Sequence, residues 1–197
     1  MLVFMKEGLV FLSVPKTGTS AFEAALGPRA SLVVRDPPEL KHAPLYRYDR
    51  FFRPMFEKVC GARPETLAVI REPIDWLGSW YRYRQRPFTR GKPVSTHGIS
   101  FETFVEGYLK GQRPAFADVG SQAKFVSPRP DGPPVDHLFR YESQQELLGF
   151  LEARLGQRID LPQRNVSPEA TLALSPELEA RLRRKHAADF DLWESLG

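Results

Sequence analysis

Gly8-Leu-Val-Phe-Leu-Ser-Val-Pro-Lys-Thr-Gly-Thr-Ser-Ala-Phe-Glu-Ala-Ala-Leu26 is the stretch on which the reading of this chain turns. Residues 9–14 are a short apolar run rich in strand formers, bounded by Gly8 and Pro15. Residues 20–26 are alanine-rich and favour a helix. Between them, Pro15-Lys16-Thr17-Gly18-Thr19-Ser20 predicts a tight loop that leads a strand into a helix. Such a loop aims backbone N–H groups and a helix N-terminus at one point, which suits phosphate or sulfate. Gly18 lets the backbone approach an anion closely. Thr17, Thr19 and Ser20 add hydroxyl donors, and Lys16 adds a mobile positive charge. The plainer alternative is an ordinary strand-turn-helix with a surface lysine. The GxxxxGK[ST] nucleotide loop does not fit, because its lysine follows the second glycine whereas Lys16 precedes Gly18.

A second strand-turn-helix reads Thr66-Leu-Ala-Val-Ile-Arg-Glu-Pro-Ile-Asp-Trp-Leu-Gly-Ser-Trp-Tyr81. The end of its strand directs Arg71 towards the crevice where open α/β sheets bind ligands. The planar guanidinium suits a phosphate dianion, and Ser79, two turns into the helix, offers a hydroxyl to the same group. A structural ion pair, for instance with Asp75, is the alternative role for Arg71.

Taken in order, these stretches resemble the two cofactor motifs of the sulfotransferases that use 3′-phosphoadenosine 5′-phosphosulfate (PAPS). Residues 15–20 resemble the 5′-phosphosulfate loop, PKxGTS or a close variant. Arg71, Pro73 and Ser79 resemble the 3′-phosphate motif, in which a serine follows the arginine by eight residues. Asp136-His-Leu-Phe-Arg-Tyr-Glu142, with the helix after it, is similar to the strand, Arg-x-Glu, helix segment of the carbohydrate-type branch. Asn165-Val-Ser167 and Ala188-Asp-Phe-Asp-Leu-Trp193 resemble that branch's closing segments, and Gln122, followed by Phe125, sits where the branch often places a glutamine. The resemblance spans nearly the whole chain. It implies one sulfotransferase-like domain over residues 1–197, with a P-loop NTPase-like parallel sheet flanked by helices on both faces. It implies transfer of a sulfuryl group from PAPS to a hydroxyl or amine, with a carbohydrate among the candidate acceptors, and release of adenosine 3′,5′-bisphosphate (PAP). Residues 16–20, Arg71 and Ser79 would hold the cofactor, and Lys16 would stabilise the leaving oxygen. A P-loop kinase of small molecules and a non-catalytic nucleotide-binding module are the competing readings.

A transfer of this kind also needs a base. His42, in Lys41-His42-Ala43, is the first candidate, since several branches of the family place a catalytic histidine in such a region. A capping or surface histidine is the bland reading of the same residue, and Glu23 and Glu72 are rivals. Glu72 also reads as a cap or ion-pair partner for the following turn. His97 reads as a loop residue able to touch an acceptor, His137 as structural and His186 as a solvated helix residue.

Composition bounds the rest. The chain has 197 residues, 42% of them hydrophobic, which suits one domain with a real core and argues against disorder. The formal net charge of +4 is a mild excess, suited to an anionic cofactor or acceptor. No nucleic-acid-binding motif stands out, so nucleic acid is not expected as a partner. Arg82, Arg84, Arg86 and Arg90 read either as contacts for an anionic acceptor such as an acidic glycan or, more plainly, as a solvated basic face anchoring aromatic neighbours. The single cysteine excludes an internal disulfide, so a cytoplasmic setting is expected, and Cys60 reads as a small core residue. No metal site and no membrane span are expected.

Strands are further expected at residues 31–34, 66–70 and 135–139, and residues 1–8 read as a strand turning at Lys6-Glu7-Gly8 into the next. Helices are expected over residues 39–60, 74–84, 101–110 and 143–155, and from Ser175 onwards, with Ser143 and Ser175 as caps. Alternation of strands with helices predicts a mainly parallel sheet covered on both faces.

Overall fold

Leu2–Phe4 (β1) and Leu9–Phe11 (β2) are joined by a tight turn in which Gly8 adopts φ 62° and donates to the Met5 carbonyl at 3.3 Å. So short a connection joins only antiparallel strands, and Leu2 accordingly lies opposite Phe11. This is the hairpin expected at Lys6-Glu7-Gly8. The computed structural model describes residues 1–161 and 172–196 of the chain. The Asn165-Val-Ser167 resemblance therefore lies outside the described residues.

Leu32–Val33 (β3) adds antiparallel to β1, whereas Glu65–Ile70 (β4) and His137–Arg140 (β5) add parallel on the far side of β2. The result is a five-stranded sheet in the order β3-β1-β2-β4-β5. The architecture is α/β, with a mixed sheet. The expected mainly parallel sheet is corrected to a mixed one: the hairpin sets β1 antiparallel to β2, and β3 pairs antiparallel to β1 on its other side.

In chain order the helices are α1 (Thr19–Leu26), α2 (Pro38–Lys41), α3 (Leu45–Arg47), α4 (Arg53–Cys60) and α5 (Pro73–Tyr83). Then follow α6 (Phe101–Tyr108), α7 (Gln122–Val126), α8 (Gln144–Leu155), α9 (Pro176–Lys185) and α10 (Ala187–Glu194). The chain forms two compact units. The first comprises Met1–Arg71 and the segment that begins at Gln122, and it carries the whole sheet. The second comprises Glu72–Ser121 and a C-terminal segment ending at Ser195.

In the first unit, Phe22 and Leu26 of α1 and Leu147, Leu151 and Leu155 of α8 cluster with Leu9, Phe11, Leu67 and Val69 of the sheet. Val10, Ala68 and Ile70, of the opposite parity, are also fully buried, so both faces of the central strands are covered. Continuous apolar runs rather than alternating ones follow from this burial. The expected helical region over 39–60 is broken. Pro44 precedes α3, and a π-helical turn, Tyr48–Phe52, leads into α4. At that turn Arg53 donates to Asp49 at 2.7 Å, with both side chains buried, and its guanidinium lies 5.2 Å from the centre of the Tyr48 ring. Cys60 ends α4 and is exposed, which corrects its reading as a core residue.

The second unit is helical. Trp76, Leu77 and Tyr81 of α5 pack with Phe101, Phe104 and Tyr108 of α6, with Leu178 and Leu182 of α9, and with Phe190 of α10. The expected basic face does anchor aromatic neighbours, but it is not solvated throughout. Arg84 is buried against Trp80 and donates to the carbonyls of Ala115 and Asp118 at 2.8 and 2.9 Å, fastening a loop. Arg82 pairs with Asp75 at 3.3 Å, and the Arg86 guanidinium lies over Tyr83. His186 is not solvated either: its ring stacks on Tyr108 at 4.4 Å and its Nδ1 lies 3.5 Å from Asp189. Neither Ser143 nor Ser175 caps its helix through its side chain.

Candidate functional site

β2, β4 and β5 run parallel, so the segments that follow them emerge at one edge of the sheet. Residues 15–20 follow β2, Arg71 follows β4 and Tyr141 follows β5, all within the first unit. The loop after β2 is the most distorted of these segments. Lys16 has φ 68° and Gly18 has φ 75°. Glycine adopts that conformation freely, but an L side chain there costs about 1–2 kcal/mol. Strain of this kind on a non-glycine residue persists only where the surroundings enforce it, and it concentrates at binding loops.

Gly18 is required on a second count. A Cβ placed on it would lie 3.2 Å from Cε2 of Tyr141, so the ring sits directly on the loop backbone. Gly18 is also the N-cap of α1, and no side chain caps that helix. The Ala21 N–H donates to the Gly18 carbonyl at 2.9 Å, and no side-chain oxygen caps the first-turn amides ahead of it. The hydroxyls of the loop are not equivalent. Thr17 is fully buried and donates to the Val14 carbonyl at 2.9 Å, so its hydroxyl hydrogen holds the loop shut. Thr19 is buried and Ser20 is exposed.

Arg71 reaches the same loop. Its guanidinium lies 4.4 Å from the centre of the Tyr141 ring, and Nη1 makes a long contact, 3.5 Å, with the Lys16 carbonyl. The cation–π contact fixes the plane of the fork without using its N–H donors. The Arg71 backbone is held by Gln122, whose Oε1 accepts the Arg71 N–H at 2.8 Å and whose Nε2 donates to its carbonyl at 2.7 Å. Asp75, the alternative partner for Arg71, is paired with Arg82.

His42 terminates α2 and is tied to the strand end that precedes the loop: its Nδ1 lies 2.7 Å from the Ser13 carbonyl. A carbonyl only accepts, so Nδ1 carries the hydrogen and Nε2 keeps a basic lone pair. Burial pushes the His42 pKa below the ordinary histidine value. The bond to Ser13 opposes that shift, and the nearby charges of Lys41 and Lys16 add to it. Of these causes burial is the largest.

The rival carboxylates are occupied. Glu23 on α1 pairs with Lys41 at 2.8 Å and Arg35 at 2.9 Å. Burial alone would raise its pKa, but these two partners outweigh burial and hold it below the ordinary value. Glu72 caps α5, accepting the Asp75 N–H at 2.7 Å, as its reading as a cap anticipates, and burial raises its pKa. Ser79 lies on α5 in the second unit and is buried. His137 pairs with Glu65 at 3.0 Å, in line with a structural role. His97 lies in the loop after α5 and is half-buried.

The first unit thus brings together residues 15–20, His42 and Arg71. Tyr141 has no role in the sequence reading; the signal for it is an aromatic residue placed directly after the strand parallel to the one that ends in Arg71. Among the described residues no group of three or more His, Cys, Asp and Glu is arranged to hold a metal ion, and no helix is long and apolar enough to cross a membrane. No protein-family model matches this chain, and no curated protein matches it.

Proposed function

We propose that this protein is a PAPS-dependent sulfotransferase built on a P-loop-like fold, transferring a sulfuryl group to a hydroxyl or amine acceptor. A carbohydrate is the acceptor class suggested by the resemblance of its C-terminal half. One observation carries the reading: a strained Lys16–Gly18 loop opens an uncapped helix, and the arginine that ends the adjacent parallel strand leans onto that loop. The donor set suits a ligand with two anionic groups. Backbone amides and Lys16 would hold the 5′-phosphosulfate, and Arg71 would hold the 3′-phosphate. A Cβ at Gly18 would crowd the Tyr141 ring, so glycine is what lets that ring rest on the loop.

When bound, PAPS supplies a sulfuryl group on a phosphate leaving group. The acceptor oxygen or nitrogen forms the new bond to sulfur while the bond from sulfur to the 5′-phosphate oxygen breaks, and PAP departs. Lys16 neutralises the charge that develops on that leaving oxygen. His42 takes the acceptor's proton on Nε2, with Ser13 holding the ring in the required tautomer. A depressed pKa keeps the imidazole neutral, and so able to accept a proton, at neutral pH.

Calorimetric titration with PAP, ATP and GTP, the latter two with and without magnesium, tests the reading. PAP is expected to bind with a dissociation constant on the order of a micromolar or tighter, and more tightly than either triphosphate. Magnesium-dependent preference for a triphosphate points instead to a kinase and refutes the proposal, as does failure to bind PAP.

A further inference from the structure

Past Leu67, β4 loses its partner on the β2 side. Leu12 donates to Leu67, and the chain then turns away into the loop of residues 15–20. The Ile70 carbonyl faces β5, where it accepts the Tyr141 N–H at 2.6 Å. Successive strand residues point their backbone groups to opposite sides. The N–H and C=O of Arg71 therefore face the gap that β2 has vacated. Buried there without partners, both groups would be costly. Gln122 fills the gap. It is 1% exposed, and its carboxamide bonds both groups, at 2.8 and 2.7 Å, as a neighbouring strand would.

We propose that Gln122 is a positioning residue that extends β4 by one residue and thereby aims the Arg71 guanidinium, making recognition of a ligand's second phosphate depend on a side-chain carboxamide. Gln122 does not touch the anion; it acts through the Arg71 backbone. The proposal rests on the reading of Arg71 as the 3′-phosphate contact.

The test uses Gln122→Met, which keeps most of the volume and removes both bonds. PAP and adenosine 5′-phosphosulfate, which lacks the 3′-phosphate, are titrated against wild type, Gln122→Met, Arg71→Ala and the double variant. Gln122→Met is expected to weaken PAP about tenfold and adenosine 5′-phosphosulfate by less than about twofold, with no further loss of PAP in the Arg71→Ala background. Equal losses for both ligands, or the same loss without Arg71, overturn the proposal and leave Gln122 as general support for the fold.

If Gln122→Met does not fold, Gln122→Glu serves. A protonated carboxyl has one donor and one acceptor and can remake both bonds, whereas a carboxylate cannot donate to the Arg71 carbonyl. The PAP affinity of this variant relative to wild type should therefore recover as pH falls through the carboxyl range; a flat ratio overturns the proposal. A wild-type protein that binds neither ligand refutes the sulfotransferase reading instead. The positioning role is then judged by hydrogen exchange at the Arg71 amide, which Gln122→Met should accelerate about tenfold or more; unchanged protection overturns it.

Discussion

Replacing Lys16 by glycine should leave a more stable protein than replacing it by alanine, while either change removes the proposed activity. Among the described residues Lys16 is the one non-glycine position with a positive φ, 68°. Left-handed backbone costs an L residue about 1–2 kcal/mol. Glycine escapes that cost but gives up about 0.5–1 kcal/mol of chain entropy relative to alanine. The balance favours glycine by roughly 0.5–1 kcal/mol. Lys16 also has interactions of its own, which any truncation removes. The informative comparison is therefore Lys16→Gly with Lys16→Ala, since both lose the same side-chain contacts and differ in strain and entropy alone. In a chain of 197 residues, about 1 kcal/mol moves Tm by about 2–4 °C. Lys16→Gly should thus melt about 1–4 °C above Lys16→Ala, measured by circular dichroism and checked by urea unfolding. Both variants should lose transfer by a hundredfold or more, on the order of what a lost transition-state charge contact costs, mostly in kcat. If Lys16→Ala is as stable as Lys16→Gly, the strain argument is refuted, and the loop geometry on which the site rests falls with it.

Arg71→Ala should weaken PAP by about 2–5 kcal/mol, far more than it weakens adenosine 5′-phosphosulfate; equal losses for both ligands remove Arg71 from the 3′-phosphate contact. Transfer should rise with pH through the depressed pKa of His42 and level off above it, and His42→Ala should flatten that rise and lower kcat with PAP affinity nearly intact; an unchanged profile in the variant excludes His42 as the base. The same depression has a stability consequence. The unfolded chain protonates His42 near pH 6.5, whereas the folded chain does so only at lower pH. The stability from the buried neutral ring is therefore complete above about pH 6.5 and declines below it, towards the folded pKa. His42→Gln should blunt that decline in urea unfolding measured at several pH values. Asp49→Ala should destabilise the protein by about 3–5 kcal/mol, because it leaves the Arg53 guanidinium buried without its carboxylate; a loss below about 1 kcal/mol, typical of exposed pairs, would show that the pair is solvated in solution.

Features encoded in neighbouring residues were legible in the sequence. The hairpin at Lys6-Glu7-Gly8, the strand that opens at Leu9 (though it stops at Phe11 rather than Val14), and Glu72 as a cap all depend on local chemistry, and the structure shows each of them. Features that depend on register were not. Nothing local tells that β5 places Tyr141 against both Gly18 and Arg71, or that Gln122 replaces a missing strand. The basic stretch misleads for a related reason: in sequence Arg84 looks no different from Arg82, Arg86 and Arg90, and only the fold closes the loop carbonyls of Ala115 and Asp118 on it.

Thr17 shows how far residue types alone can lead. As a loop hydroxyl it counts as an anion donor, yet the fold turns its hydrogen inward to Val14. That bond braces the strand end against the loop, between the strained Lys16 and the left-handed Gly18. What the loop can offer an anion is then mainly backbone N–H at the start of α1, with Ser20 as its exposed hydroxyl. Amide donors fixed by backbone geometry do not reorganise when charge moves, which is the property a leaving phosphate requires. On this reading Thr17 serves the site by holding those amides in place. The strain at Lys16 is the cost of setting a lysine, rather than a glycine, at the turn that presents them.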